Sequence, residues 1–252
     1  MDAEFDSEYP TCRNGPISHL KIRNPDTFSI LYSLDAPKGA EGATRAIESA
    51  EVGLQVVAHL TMRVVAGKYR SRQLRSLPGL DIRPTADRLR ETLFNVFTAG
   101  NPDALKGTVW LDLYAGTGAV GIEALSRGAS MVHFVESSAP AAELIKKNLA
   151  SLEVGAGFQV LRQDSIRALR ALESGGTVAD FVFLDPPYDM QEAYRQALET
   201  LSKSKLLKQH SVVIAEHQKK FDPGEAFGLL RRYRMLGQGD AALSLYRLAP
   251  AE

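Results

Sequence analysis

Between Thr108 and Leu248, short runs of consecutive apolar residues alternate with segments whose apolar residues recur every three or four positions. The runs predict strands buried on both faces, and the spaced segments predict amphipathic helices. Thr108–Leu113, Met131–Val135, Phe158–Leu161, Phe181–Leu184 and Ser211–Ala215 read as strands. The intervening helices are Ala119–Ser126 (stopped by Gly128), Ala141–Ala150, Ile166–Leu172 (stopped by Gly175 and Gly176) and Gln191–Leu201. Leu229–Met235 and Leu243–Leu248 read as closing strands, paired as a hairpin around Gly237 and Gly239. Such alternation predicts an α/β fold. Its open, Rossmann-like sheet is mostly parallel, with seven strands and an antiparallel closing hairpin.

The segment before this pattern is different. Thr85–Phe97 reads as a helix with Thr85 as N-cap after Pro84. Leu89, Leu93, Val96 and Phe97 share one face, so Arg88 and Arg90 are expected to point largely away from it, toward solvent or a ligand. MRVVAGKYRSRQL, starting at Met62, alternates apolar and basic residues around Gly67, as a short hairpin or arm would. Residues 1–61 hold scattered Pro, Gly and polar residues, with at most one weak helix over Thr44–Leu60, and read as loop or disorder. The domain reading is therefore a poorly ordered extension at 1–61, a basic arm at 62–84 and the α/β domain at 85–252. Methionine at 62 is what an initiator would look like, so 1–61 is read as an upstream extension or a dispensable tail.

Composition narrows the class. A chain of 252 residues buries one sizeable core with room for a small appendage. The acidic start is unlike a signal peptide, and no apolar run is long enough to cross a membrane. Cys12 is the only cysteine, which excludes a disulfide framework and a cysteine-based metal site and fits a reducing cytoplasm. Cys12, His19 and His59 carry no chemistry by their context, and no metal is expected. Net charge is zero but unevenly placed, because residues 1–61 hold five Lys/Arg against nine Asp/Glu and leave an excess of base to the rest.

The excess concentrates between Met62 and Arg90, with eight basic residues against Asp81 and Asp87. A charge run is most often a solvated face. Here arginine dominates and Tyr69 stands among the charges; guanidinium forks match phosphate oxygens and an aromatic ring stacks on a base. Arg63, Lys68, Tyr69, Arg70, Arg72, Arg83 and Arg88 are accordingly expected to bind nucleic acid, which the resemblance described below implies to be RNA.

Acids end the strands. Asp112, Glu136, Asp164 and Asp185 each end or follow one, and ligands of open α/β sheets lie at that rim. Gly116 and Gly118 in LDLYAGTG permit a tight turn with close backbone approach to a ligand. Glu136 follows Gly118 by eighteen residues, a spacing that suits ribose hydroxyls. The loop lacks both the dinucleotide G-x-G-x-x-G spacing and the Gly-Lys-Ser/Thr of a P-loop, so a nucleoside cofactor without pyrophosphate fits best. In LDPPY, Pro186 and Pro187 have no N–H, so Asp185 and the backbone form a cluster of acceptors beside the Tyr188 ring. That cluster suits a planar group carrying an amine.

The D-x-Y-A-G-T-G loop with the later DPPY resembles class I methyltransferases that use S-adenosylmethionine and modify exocyclic amines. GKYRSRQL followed by RPTADRLRETLFN, Arg83 to Asn95, resembles the bacterial guanine-N2 methyltransferases of small-subunit (16S) ribosomal RNA, the RsmD type. The likeness runs from Met62 to about Leu248. It implies Asp112, Tyr114, Gly116 and Gly118 around the methionine part of the cofactor, Glu136 on the ribose and Asp164 near the adenine. It implies Asp185, Pro186, Pro187 and Tyr188 as the catalytic group that holds the base. The substrate would be small-subunit ribosomal RNA or an assembling 30S particle. Alternatives are a DNA or RNA adenine-N6 methyltransferase, a protein glutamine-N5 methyltransferase, which usually has Asn where Asp185 stands, and a non-catalytic RNA binder of the same fold.

Overall fold

In the parallel strands, successive side chains go to opposite faces, and both faces are apolar. A sheet of that kind is stable only when helices cover both sides. The computed structural model shows this arrangement; it describes the strands Leu20–Ile22 and Ile30–Tyr32, residues 62–76 and residues 84–250. The chain forms two compact units, Met1–His59 and Leu60–Glu252.

In the first unit, β1 (Leu20–Ile22) and β2 (Ile30–Tyr32) pair antiparallel, Lys21 opposite Leu31. The sequence reading of residues 1–61 named neither strand. At three residues each they are too short to show an alternation in the sequence. The weak helix expected over Thr44–Leu60, with Cys12, His19 and His59, lies outside the described residues.

The second unit opens with the arm. Arg63 bridges Gln73 antiparallel, and Val64 N donates to Arg72 O at 3.0 Å, which is the expected hairpin around Gly67. There follow α1 (Pro84–Thr98), β3 (Val109–Leu113), α2 (Ala119–Ser126), β4 (Met131–Val135), α3 (Ala139–Ser151), β5 (Phe158–Leu161) and α4 (Ser165–Ser174). Then come β6 (Ala179–Leu184), α5 (Gln191–Lys203), β7 (Leu207–Gln218), β8 (Ala226–Phe227), β9 (Leu230–Gln238) and β10 (Ala241–Leu248). Thr85 is not the cap of α1, because Pro84 already occupies a helical position; its fixed φ and missing N–H suit the first turn.

The main sheet has eight strands in the order β5-β4-β3-β6-β7-β10-β9-β8. From β5 to β7 neighbours are parallel; β10, β9 and β8 are antiparallel. The expected seven strands become eight because β8 has only two residues and no apolar run to reveal it. Strand β7 also runs well beyond the expected Ser211–Ala215, since its partner β10 continues the ladder to Gln218.

Alternation sorts the core. Trp110, Val132, Phe134, Phe183 and Ile214 pack against α1, α2 and α3, with Leu89, Leu93, Ile122 and Ile145. Leu111, Leu113, Val182, Leu184 and Ala215 pack against α4 and α5, with Leu169, Tyr194 and Leu198. The chain leaves the β5 end and returns to β6 on the other side of β3, so the order reverses between β3 and β6. A crevice at such a switch point is where open α/β sheets bind their ligands.

Candidate active site

The turn after β3 demands unusual backbone. Gly116 and Gly118 have φ of 54° and 78°, and Tyr114 takes a φ of 64° despite its side chain. A non-glycine residue there is uncommon and strained, so its surroundings must hold it. Its hydroxyl bonds Ser165 Oγ at 2.8 Å, tying the turn to the start of α4. A Cβ on Gly116 would meet only Tyr114 O at 3.9 Å, so the space in front of it is open. Gly121 is required for packing, since a Cβ would come within 2.3 Å of the Phe134 ring.

The expected acids gather at this rim with different tasks. Asp112 is buried, and its Oδ2 accepts from Gly121 N at 2.9 Å, fixing α2 to β3. Burial pushes its carboxyl up to about 8, against the lowering effect of that hydrogen bond and with help from Asp185 and Glu136. Glu136 accepts from Gly116 N at 2.9 Å and from Ser138 N at 2.7 Å, so it braces the glycine turn. Each carboxylate oxygen retains a lone pair with which to accept from a hydroxyl. Asp164 caps α4, accepting from Ile166 N at 3.0 Å and Arg167 N at 3.3 Å.

At the end of β6, Asp185 is half-buried, Pro186 buried, and Pro187 and Tyr188 exposed. Pro187 O accepts from Met190 N at 2.8 Å, closing a turn into α5. Burial raises the Asp185 carboxyl to about 7. Among the described residues no donor hydrogen-bonds this carboxyl, in contrast to Asp112, Glu136 and Asp164.

Sequence reasoning missed Glu216. It follows Ala215, which pairs with Leu184, so it stands beside Asp185 on the next strand. Burial, and then the charge of Asp185, lifts its carboxyl well above the ordinary range, while the charge of Arg90 opposes this. In the sequence it follows the apolar run Ser211–Ala215 as Glu136 follows Met131–Val135, but β7 continues three residues past that run, so Glu216 lies inside the strand. Of the two surroundings expected for Arg90, solvent or a ligand, burial excludes solvent: it is only 6% exposed, its Nη2 donates to Arg63 O at 2.7 Å, and its charge acts on Glu216. Arg88 is exposed as expected, and Arg83 lies outside the described residues.

The arm is fastened to the domain. Buried Glu123 on α2 accepts from Val65 N at 2.7 Å and Ala66 N at 2.9 Å, and pairs with Arg127 at 2.7 Å. Lys68 N donates to Ser126 O and Tyr69 N to Ser126 Oγ. Gly67, with φ of 80°, lies so close that a Cβ would stand 1.9 Å from Ser126 O. Asn148 links Arg75 O to Thr117 O, and the Thr117 hydroxyl reaches Met62 Sδ at 3.3 Å, so both arm strands touch the glycine turn. Arg63, Lys68, Arg70 and Arg72 remain exposed, while Tyr69 is half-buried under the Lys68 ammonium and packs on the core.

An open glycine turn braced by an acid, beside a strand end rich in acceptors, matches the family model described as "Conserved hypothetical protein 95" over residues 62–247. The chain belongs to this family, the RsmD-type methyltransferases. YlbH of Bacillus subtilis, which carries an rRNA methyltransferase name, is 34% identical over 186 residues, 74% of this chain and 98% of that one. Ribosomal RNA small subunit methyltransferase D of Haemophilus influenzae is 36% identical over 159 residues, 63% of this chain and 79% of that one. Among solved structures, the Escherichia coli methyltransferase yhhF superposes with a TM-score of 0.64 at 27% identity, covering 76% of this chain and 99% of that one. An RsmD-type protein is an S-adenosylmethionine-dependent enzyme, and the residues here fit that cofactor. The open space before Gly116 admits a nucleoside, and Glu136 stands beside it.

Proposed function

We propose that the protein transfers a methyl group from S-adenosylmethionine to the exocyclic N2 of a guanine in small-subunit ribosomal RNA. The observation that carries this is the Asp185 carboxyl, left without a hydrogen-bond donor among the described residues at the end of β6, beside the cofactor turn of an RsmD-type chain. Relatives named as small-subunit rRNA methyltransferases support the choice of RNA.

Glu136 holds the ribose, and Asp112, Tyr114, Gly116 and Gly118 surround the methionine part, with Asp164 near the adenine. When bound, the cofactor supplies a methyl already activated on a sulfonium. The target base leaves its stack and lies against Tyr188. Asp185 accepts an amine N–H and the Pro186 carbonyl accepts the other, which draws the nitrogen lone pair out of conjugation and aims it. Positioning supplies most of the rate; as the new N–C bond forms, the sulfonium–methyl bond would break to leave S-adenosylhomocysteine, and the amine proton would then pass to Asp185 and on to water. Arg63, Lys68, Tyr69, Arg70, Arg72, Arg83 and Arg88 hold the RNA. No metal takes part, the substrate is free RNA or an assembling particle, and the cytoplasm is the site of action. Among the described residues no helix is long and apolar enough to cross a membrane.

The test is transfer of labelled methyl to small-subunit particles lacking the modification, to free ribosomal RNA and to DNA, with the product nucleoside identified by mass spectrometry. N2-methylguanosine in RNA is expected. N6-methyladenosine, or methylation of DNA alone, overturns the reading.

A further inference from the structure

Leu184 and Ala215 pair across β6 and β7, and both pack against α4 and α5. The next residues, Asp185 and Glu216, therefore leave neighbouring strands side by side toward the opposite face. Asp112 takes that face too, since Leu111 and Leu113 on either side of it pack with Leu184. Each acid acts electrostatically on the next: Asp185 on Asp112, and Asp185 on Glu216.

These carboxyls differ in what already occupies them. Gly121 N holds Asp112, the amides of Gly116 and Ser138 hold Glu136, and α4 holds Asp164. Among the described residues no donor hydrogen-bonds Asp185 or Glu216. Glu216 is nevertheless fixed in place, because its carbonyl accepts from the buried Tyr194 hydroxyl at 2.7 Å and its strand is paired on both sides. A rigid backbone that presents a carboxyl with no donor is what a ligand-reading residue needs.

We propose that Glu216 reads the N1–H of the target guanine while Asp185 holds the exocyclic amine, so that Glu216 sets the choice of base. This rests on the transfer reaction above. Guanine carries N1–H and N2–H as adjacent donors, and two adjacent carboxylates on neighbouring strands accept one each. Adenine and 2-aminopurine have an acceptor at N1, which faces Glu216 lone pair to lone pair. A site built to bond a donor rejects strongly the analogue that lacks it, because the buried acceptor is then left unpaired. Burial and then the charge of Asp185 lift the Glu216 carboxyl, and the charge of Arg90, buried on α1 and bonded to Arg63 O, opposes this; an oxygen of Glu216 can accept in either protonation state.

The experiment uses the full chain, wild-type and Glu216→Gln. Small-subunit particles are reconstituted with RNA carrying guanine or 2-aminopurine at the position that wild-type methylates. 2-Aminopurine keeps the exocyclic amine and replaces the N1 donor with an acceptor, and the glutamine NH2 can donate to it. Wild-type is expected to favour guanine by about 100-fold or more, and Glu216→Gln to compress that ratio at least about tenfold through loss on guanine. S-adenosylmethionine affinity and melting temperature should stay as in wild-type. Equal loss on both bases, or no loss on either, overturns the proposal and makes Glu216 a structural partner of Arg90. Failure of wild-type to methylate guanine overturns the proposed function itself, a separate outcome.

Discussion

Asp185 reaches neutrality close to physiological pH, since burial raises its carboxyl to about 7. The ionised group is the stronger acceptor of an amine N–H, so the single-turnover rate should rise as pH increases from 6 to 8. A rate flat across that range would place the accepting role elsewhere. Residue assignments also predict a separation of binding from chemistry. Asp185→Ala should leave S-adenosylmethionine affinity nearly intact and abolish transfer, whereas Glu136→Ala should weaken affinity; calorimetry on both variants checks this. Glu136 also braces Gly116 N, so part of its loss will come through the turn. The four acids named from the sequence were legible because each sits where a strand must stop. Glu216 carries the same signal, directly after the apolar run Ser211–Ala215, but no motif beside it marked it out, and β7 in fact continues past it to Gln218. For Arg90 the sequence left solvent and a ligand both open, because helical periodicity says which face a residue shares and not what covers the other face.

The arm is the element whose behaviour depends most on a few contacts. Gly67→Ala would force both a left-handed φ on alanine and a collision with Ser126 O. It should undock the hairpin, weaken RNA binding severely and speed hydrogen exchange at Val65 and Ala66, whose amides rest on Glu123. An unchanged RNA affinity would mean that RNA is held by other surfaces. Replacing Arg70 and Arg72 with alanine should instead leave the hairpin docked, lower RNA affinity and flatten its salt dependence, because each lost phosphate contact removes released counterions. The hairpin itself could be read from Gly67 and the alternation around it. Its docking could not, because Glu123 in a short helix looks like an exposed charge until the arm's amides are brought to it.

For the whole molecule, the family match begins at residue 62 and the second compact unit at Leu60. A chain starting at Met62 is expected to fold, bind S-adenosylmethionine and methylate as the full chain does; loss of any of these would give residues 1–61 a role. Stability should also depend on pH through Asp112. Its folded carboxyl lies at about 8, above the usual 3.8, so the folded state holds a proton that the unfolded state releases. The resulting stabilisation is complete below the unfolded value and is lost as pH rises toward 8, at about 1.4 kcal/mol per unit. Asp112→Asn keeps an acceptor for Gly121 N without this loss. Without cofactor, its melting temperature should gain on wild-type steadily between pH 5 and 8. The mostly parallel sheet with its antiparallel closing strands was legible in the strand–helix alternation, whereas the strand order, β8 and the full length of β7 are set by partners distant in sequence.

Trp110 is the chain's only tryptophan. Its indole lies fully buried between Phe94 of α1, at 5.3 Å, and Phe181 of β6, at 4.4 Å. The same helix carries Arg90, which bonds the arm and faces the acidic rim. The molecule thus contains one tryptophan fluorophore, which can be excited apart from the tyrosines, placed at the joint where helix and sheet meet. Its emission should be blue-shifted in the native state, and a red shift on heating would time the release of α1 from the sheet without any added label.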